Sequence, residues 1–507
     1  MIKGIWMIGF MFIARPLFAV DDQPIDQTLS EVTARAVSSD ALALPDLSQF
    51  STDGIRDMAA KEKNSHQSID IEISRFWDHD ELLRFTRDGN LPVYLQKQGK
   101  LPEAIVIKEG VATLAELNRI INDDQVIKRL EDKTYLLRRP ILVKHGSSLL
   151  IEEGEELRLS EERGAFLVNS GQLFVLDSIV AGWREEKQQP ALYSGDEKAF
   201  RPFILAWSNS LTYAGNSTFQ SLGYLKGKSY GLSLSMGPAQ LVQSGEKLDH
   251  PTGWLIGNYF TDLYYGFYSY EANDVVIANN QYEKNIVYAI DPHDRSERLI
   301  ISGNKTFGTK KKHGIIVSRE VINSFIINNV SFNNNGSGIM LDRTSTKNLI
   351  YNNSTFNNKG DGITLYESSD ALIYKNNVFD NKRDGIRMRN SQNVIVVKNK
   401  IMANKGVGVY GYIKEEIEGR NLELDPFEPK SSIDLLVSNQ IEANTTGAFQ
   451  FDGLDFSIFG KNQLDHNGRG VFKGDYSRYE SQLLNYIYKE QKTVLIEAET
   501  ETEIENI

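Results

Sequence analysis

From about residue 136 onward, apolar residues come in short runs with period-two alternation, broken by Gly, Asn and Ser (LLRRPILV, SSLLIEE, GAFLVNSGQLFVLDSIVAGW). Such runs read as strands, and their spacing suits a sandwich or a solenoid equally well. Internal self-similarity decides between them. Four segments align on a Gly-Ile pair starting at Gly314, Gly338, Gly362 and Gly385, at intervals of 24, 24 and 23 residues. Each is followed by a second run with an Asn-rich turn: Phe325-Ile326-Ile327-Asn328-Asn329, Leu349-Ile350-Tyr351-Asn352-Asn353, Leu372-Ile373-Tyr374-Lys375-Asn376-Asn377 and Val394-Ile395-Val396-Val397-Lys398-Asn399. A coil of about 23 residues carrying two or three short strands is the unit of a parallel β-helix, so an all-β solenoid is expected. A leucine-rich horseshoe is disfavoured, because each repeat lacks a helical arc. The string NSTF at residues 216–219 and again at 353–356 extends the repeat back towards residue 210. Stacked Asn columns are expected to pair side-chain amides between coils, a structural role.

The rest of the chain divides around this repeat. Residues 1–19 read as a cleavable export signal: a basic start, an apolar run at 4–14 too short to span a bilayer, and Ala19 as the last residue removed. Residues 20–133 are charged and lack a persistent period, with a helix-like patch at 111–121, and read as an N-terminal region and cap. Residues 134–475 are assigned to the β-helix. Within them, 415–430 form an acidic insertion with two prolines. Residues 476–507 are read as a helix over 477–492 covering the open end of the solenoid, followed by an acidic tail from Glu497.

Side chains alternate faces along a strand, so Ile315, Ile339, Ile363 and Ile386 point inward and their neighbours outward. The outward columns are then Ile316/Met340/Thr364/Arg387 and Ser318/Asp342/Tyr366/Arg389. One coil upstream, the same register puts Ile290 in the core column, Asp291 in the first outward column and His293 in the second. The Asp291-Pro292-His293-Asp294 segment thus opens onto the face of Asp342, Tyr366 and Arg389, with Arg319 and Arg343 at its edge. Neighbouring coils are about 4.8 Å apart, which puts His293 and Arg319 within one sugar's width in this reading.

Charge sharpens the picture. The 507 residues hold 56 Lys and Arg against 68 Asp and Glu, a net of −12, which argues against nucleic acid as a partner. Residues 289–413 alone hold 18 basic and 10 acidic residues, a net of +8, leaving −20 for the remainder. A basic face with a histidine, a tyrosine and carboxylates suits a long acidic polysaccharide, whose uronates a row of arginines can grip bidentately. Arg319, Arg343, Arg387 and Arg389 are the expected ligands. Lys310-Lys311-Lys312 suits a solvated turn or a substrate clamp equally. The absence of cysteine removes disulfides, Cys-ligated zinc and a thiol nucleophile. An Asp-x-His-Asp cluster without a second histidine or an evenly spaced acidic loop is a poor metal site, so no metal and no cofactor are expected.

Tyr288-Ala289-Ile290-Asp291-Pro292-His293-Asp294, followed by Gly308-Thr309-Lys310-Lys311-Lys312-His313-Gly314-Ile315 and Gly362-Ile363-Thr364-Leu365-Tyr366-Glu367-Ser368, closely resembles the periplasmic mannuronan C5-epimerases of bacterial alginate synthesis. Similarity extends from about Glu103 to the tail. Where that family typically has YG before the DPH region, this chain has Ala289, a small residue of little expected consequence. The resemblance implies a right-handed parallel β-helix that converts β-D-mannuronate to α-L-guluronate within the polymer. It also implies a place among the periplasmic and outer-membrane proteins that export the chain. It casts His293 as the base and Arg319 as the group neutralising the substrate carboxylate. The proton donor, Tyr288 or a water, is left open. C5 chemistry itself demands these parts, because an enolate forming beside a carboxylate needs a cation, a base on one face and a donor on the other. Asp291 and Asp294 are placed to orient His293, while Asp342, Arg343, Tyr366, Arg387, Arg389, Lys311 and Lys312 are expected to bind substrate. Two other functions fit the same face: a polyuronate lyase, which shares the proton abstraction but eliminates at O4, and a non-catalytic alginate-binding scaffold in the export machinery.

Overall fold

The structure, a computed structural model, describes residues 29–31, 42–65, 68–87, 89–237, 247–416, 419–423, 425–468 and 470–497. The expected export signal and most of the acidic tail lie outside the described residues. The chain forms two units, one of residues 46–316 and one of residues 317–507 with the first 45. Both are built of coils of a right-handed parallel β-helix.

In the unit of residues 46–316, three parallel sheets run side by side. One contains Ile141–Val143, Leu167–Asn169, Ile204–Ala206, Gly231–Ser235, Tyr265–Tyr270 and Tyr288–His293, each paired in parallel with the next. The second runs from Ser147–Ile151 through Gln172–Leu176, Leu211–Gly215, Thr252–Ile256 and Val276–Ala278 to Ile300–Ser302. The third runs from Thr134–Leu137 through Glu156–Ser160, Ile179–Arg184, Thr218–Gln220, Tyr259–Thr261 and Gln281–Glu283 to Lys305–Phe307.

Parallel pairing already starts at Glu103–Thr113, upstream of residue 134. This strand joins two sheets, pairing through Ile105 with Ile141 and through Gly110 with Ser147. Gly110 makes the corner at φ +83, where a Cβ would collide with the Ser68 carbonyl. The patch at 111–121 is therefore strand first and helix only from Leu114 to Ile121, because Thr113 and Glu116 close a capping box that fixes the helix start. Ahead of these coils, Phe76, Leu82, Phe85 and Tyr94 pack on Phe166, Phe203 and Trp207, so the N-terminal segments cover the outer face of the first sheet.

In the other unit, Ile339–Asp342, Ile363–Tyr366, Ile386–Arg389, Val407–Tyr412, Gly447–Asp452 and Phe472–Gly474 form one parallel ladder. The register puts Met340, Thr364 and Arg387 in one column and Asp342, Tyr366 and Arg389 in another, as the Gly-Ile alignment requires. The repeating Gly is steric in origin: a Cβ on Gly362 would run into Val378 of the next coil. Helical turns over residues 475–489 bury Leu483 and Ile487 at the C-terminal end. The chain then returns as Thr493–Glu497, antiparallel to Phe456–Gly460 and to Leu29–Glu31, a strand that covers the sheet edge and that the charged sequence there conceals.

The Asn columns stack within each unit. Asn353, Asn376, Asn399, Asn439 and Asn462 form a buried ladder in which each side-chain amide donates to the next at 3.0 Å. Each also donates to a carbonyl of the preceding coil, as Asn376 does to Ile350 at 2.8 Å. The residue before each ladder Asn is left-handed, Asn352 at φ 53 and Lys375 at φ 55, so Asn is needed at the second position and merely suited to the first. This resolves the NSTF coincidence. Ser217 takes the ladder position in its coil, its N–H bonded to the Asn258 side chain, whereas in the other string Asn353 does. The strings are thus one residue out of register, although both lie on the repeat. Asn376→Ala removes four hydrogen bonds and strands the buried Asn353 amide; it should destabilise the fold by about 3 kcal/mol in denaturant unfolding.

Candidate active site

In the unit of residues 46–316, the strand Tyr288–His293 carries three of the expected residues on its outer face or edge. Parallel pairing sets Tyr268 opposite Asp291 and Tyr270 opposite His293. The His293 Nδ1 meets the Asp294 carboxylate in a short contact. A carboxylate only accepts, so Nδ1 carries the hydrogen and Nε2 keeps its lone pair for a substrate proton. The neighbouring turn is anchored too, since the Ser296 hydroxyl donates to the His293 carbonyl at 2.9 Å. Burial, reinforced by the charge of Asp291, itself 1% exposed, pushes the Tyr265 and Tyr268 phenols far above their ordinary range. Both phenols therefore stay protonated.

Around them stands a wall of tyrosines. Tyr230 lies 4.8 Å from both Tyr265 and Tyr268, Tyr265 lies 5.1 Å from Tyr288, and Tyr268 lies 5.8 Å from the His293 ring. Tyr288 stacks on His313 at 5.9 Å with 7° between the planes. Lys228, which the sequence reading passed over, lies 3.2 Å over the Tyr270 ring and donates to the Tyr268 hydroxyl at 3.0 Å. Burial pushes its ammonium down to about 7, against the opposing pull of Asp294. The tyrosine run Tyr264-Tyr265-Gly266-Phe267-Tyr268-Ser269-Tyr270 sits one coil before the DPH segment, and Lys228 precedes the strand that pairs with it, a neighbourhood that only the pairing reveals. The three lysines divide. Lys310 bonds Asp262 at 3.0 Å, Lys311 meets Glu197 and the Tyr193 hydroxyl, and Lys312 is exposed. Lys311 ties the turn to the segment before residue 203, and Lys310 ties it to the turn after the strand Tyr259–Thr261.

In the other unit, the arginines are held by carboxylates. Ser318 donates to Asp342 at 2.9 Å, and Arg343 bonds both Asp342 at 3.0 Å and Asp425 at 3.1 Å. Arg389 lies 4.2 Å over the Tyr366 ring and pairs with Glu367 at 3.0 Å. Arg387 packs on Tyr410 and Tyr412, bonds the Tyr412 hydroxyl at 3.1 Å and reaches Asp384 at 3.3 Å. The Nε atoms of Arg387 and Arg389 are buried without a protein acceptor. Arg319 sits at a left-handed corner, φ 59, with its N–H on the Asp342 carbonyl. The 415–430 insertion is more than an acidic loop: its Arg420 bonds Glu367 at 2.6 Å and its Asp425 at 3.2 Å, so it lies on the arginine face. Nothing in the sequence pointed to that return. Among the described residues no group of three or more His, Asp or Glu side chains is placed to hold a metal ion.

The carboxylate-held imidazole beside protonated phenols in one unit, and the carboxylate-paired arginines in the other, are the groups that acid–base chemistry on a polyanionic sugar requires. A family profile described as a right handed beta helix region matches residues 265–421. The mannuronan C5-epimerase of Pseudomonas putida is 41% identical over 484 residues, 94% of this chain and 92% of that protein. That of Pseudomonas aeruginosa is 40% identical over 487 residues, 94% of this chain and 88% of the other. The crystal structure of the periplasmic alginate epimerase AlgG superposes with a TM-score of 0.77 at 37% identity, covering 86% of this chain and 99% of that one. The chain belongs to the mannuronan C5-epimerase family, isomerases that act on a carbohydrate polymer.

Lys228 gives a test of the tyrosine-walled face. Folded, it loses its proton near pH 7; unfolded, it does so near 10.4. Between those values the unfolded chain binds the extra proton, so the cost of burying Lys228 is full below pH 7 and fades as pH rises towards 10. Lys228→Met should therefore raise the melting temperature more at about pH 6 than at about pH 9.

Proposed function

We propose that this chain acts in the periplasm on polymannuronate, inverting C5 of β-D-mannuronate residues within the polymer to give α-L-guluronate. The observation that carries the mechanism is the His293–Asp294 pair, which leaves Nε2 as the acceptor at the half-buried end of the strand. The substrate C5 proton is acidic only through the adjoining C6 carboxylate, and its removal spreads a second negative charge onto that carboxylate. Arg319 neutralises this charge as the enolate forms. His293 takes the C5 proton, with Asp294 stabilising the imidazolium. Tyr288 or a water returns a proton to the opposite face; His293 then loses its own to solvent and the donor regains one from it, which resets both groups. Asp291 sets the charge around the phenols. Asp342, Arg343, Tyr366, Arg387 and Arg389 bind flanking uronates, the buried arginine Nε atoms being their open donors. Lys312, exposed beside the internally paired Lys311, meets the polymer at the edge. Export through a cleaved signal at residues 1–19 and association with the alginate export proteins belong to the same reading.

His293→Ala should lower the epimerisation rate by about 10²- to 10⁴-fold, the usual worth of a positioned acid–base group, with the melting temperature kept. Proton NMR of polymannuronate treated in deuterium oxide checks the chemistry: deuterium should enter C5 of each guluronate formed, and its absence would sink the abstraction scheme. Ultraviolet absorbance from unsaturated uronate would replace epimerisation by lyase chemistry. A His293→Ala chain that still restores polymer export in a deletion strain would separate the assembly role from catalysis.

A further inference from the structure

A cavity of about 360 Å³ lies in the unit of residues 46–316, away from His293, where the N-terminal cap meets the first sheet. Glu81 and Ser170 line it, 4% and 5% exposed, and the Glu81 Oε2 and Ser170 Oγ atoms have no hydrogen-bond partner in the protein. Two buried polar groups left unsatisfied cost stability unless a ligand supplies their bonds. Glu81 is not loosely placed. Its other carboxylate oxygen accepts from Lys144 at 2.6 Å, and its carbonyl accepts from the Trp207 indole at 3.1 Å. The lining also holds the exposed side chains of His145 and Lys108, the latter shared with Glu72 at 3.1 Å and Asp70 at 3.2 Å. An acceptor and a hydroxyl in the wall with basic groups at the rim fit a unit that bears both hydroxyls and a carboxylate, which is the chemistry of a uronate.

The cavity also lies on the line of the proposed polymer. Strand register places Ser208, Met236, Glu271 and Asp294 at the ends of four successive parallel strands. The turns are bonded in sequence, Met236 N–H to the Tyr270 carbonyl and Glu271 N–H to the Asp294 carbonyl. Ser208 lines the cavity and Asp294 holds the base. Three strand spacings separate them, about 14 Å, or roughly three sugar units along the sheet. Trp207, next to Ser208, is buried under the cap, so the way from the cavity towards His293 runs along the turns.

We propose that this cavity is a distal uronate subsite, in which Glu81 and Ser170 take sugar hydroxyls and His145 and Lys108 meet the carboxylate. The proposal rests on the epimerase reading above, and its test separates the two. Binding of a mannuronate trimer and of a decamer is measured by calorimetry for the wild type and for Ser170→Val, which replaces the hydroxyl with methyl groups. Decamer affinity should fall about tenfold, the worth of one such hydrogen bond, while trimer affinity and melting temperature hold. Equal losses for both lengths, or an unchanged decamer affinity, overturns the subsite. If Ser170→Val lowers the melting temperature, the exposed double variant His145→Ala/Lys108→Ala takes its place with the same criterion. A wild type that binds neither oligomer overturns the epimerase reading itself.

Discussion

Everything in this protein depends on parallel coils stacking at a single strand spacing. Once that spacing is set, each side chain has a fixed neighbour one coil away, and the energetics of the interior become those of columns. A buried amide is costly alone but satisfied in a column, which is how the Asn376 carboxamide can serve two donors and two acceptors in the absence of water. Aromatic columns obey the same rule: Phe332, Phe356 and Phe379 stack at 4.9 and 4.8 Å, the strand spacing itself. The active face inherits this order. Tyr268 and Tyr270 need no loop to bring them beside Asp291 and His293, because register does so.

Register also brings like charges together, and the fold answers with local carboxylates. Along the chain, residues 289–413 sum to +8. In space that excess is smaller, because acidic groups from other parts of the chain sit among the basic ones: Glu197 on Lys311, Asp262 on Lys310 and Asp425 on Arg343. Arg343 and Arg389 are thus pre-aligned by anions of the protein, ready for the uronates proposed to bind there. Pre-alignment of this kind removes rotamer entropy from binding, and guanidinium groups, with five donors each, lose little by sharing.

What could be read from the sequence follows from this physics. The coils from Gly314 to Lys405 were legible because each has nearly the same length and a glycine where the next coil leaves no room for a Cβ. Upstream the same fold was hidden, since Gln172 pairs with Leu211 and Leu211 with Thr252, intervals of 39 and 41 residues in which insertions dilute the period. The DPH segment was legible from one alignment as part of a coil strand, Tyr288–His293. Lys228 was not, because nothing local marks a lysine whose partners are rings in the next coils, and the 415–430 insertion was seen only as an acidic stretch. Glu81 belongs to the same class: its significance lies in one oxygen left without a partner, which no pattern of residue types records.

The corner that follows each strand shows why the base and its carboxylate can be adjacent in sequence. Adjacent strand residues point to opposite faces, so a neighbour of His293 in extended backbone would turn its side chain away. Asp294 instead adopts φ 36, and Arg295 after it φ 56, which swings the carboxylate back to the imidazole. In the other unit the same corner holds Arg319 at φ 59 and Arg343 at φ 45. Left-handed backbone is unfavourable for such residues and persists only where surrounding bonds over-determine it. Here those bonds are the coil-to-coil N–H donations, Glu271 to Asp294, Arg319 to Asp342 and Arg343 to Tyr366. The strain that aims the proposed catalytic groups is therefore held by the ladder that makes the fold, so the aim persists without substrate.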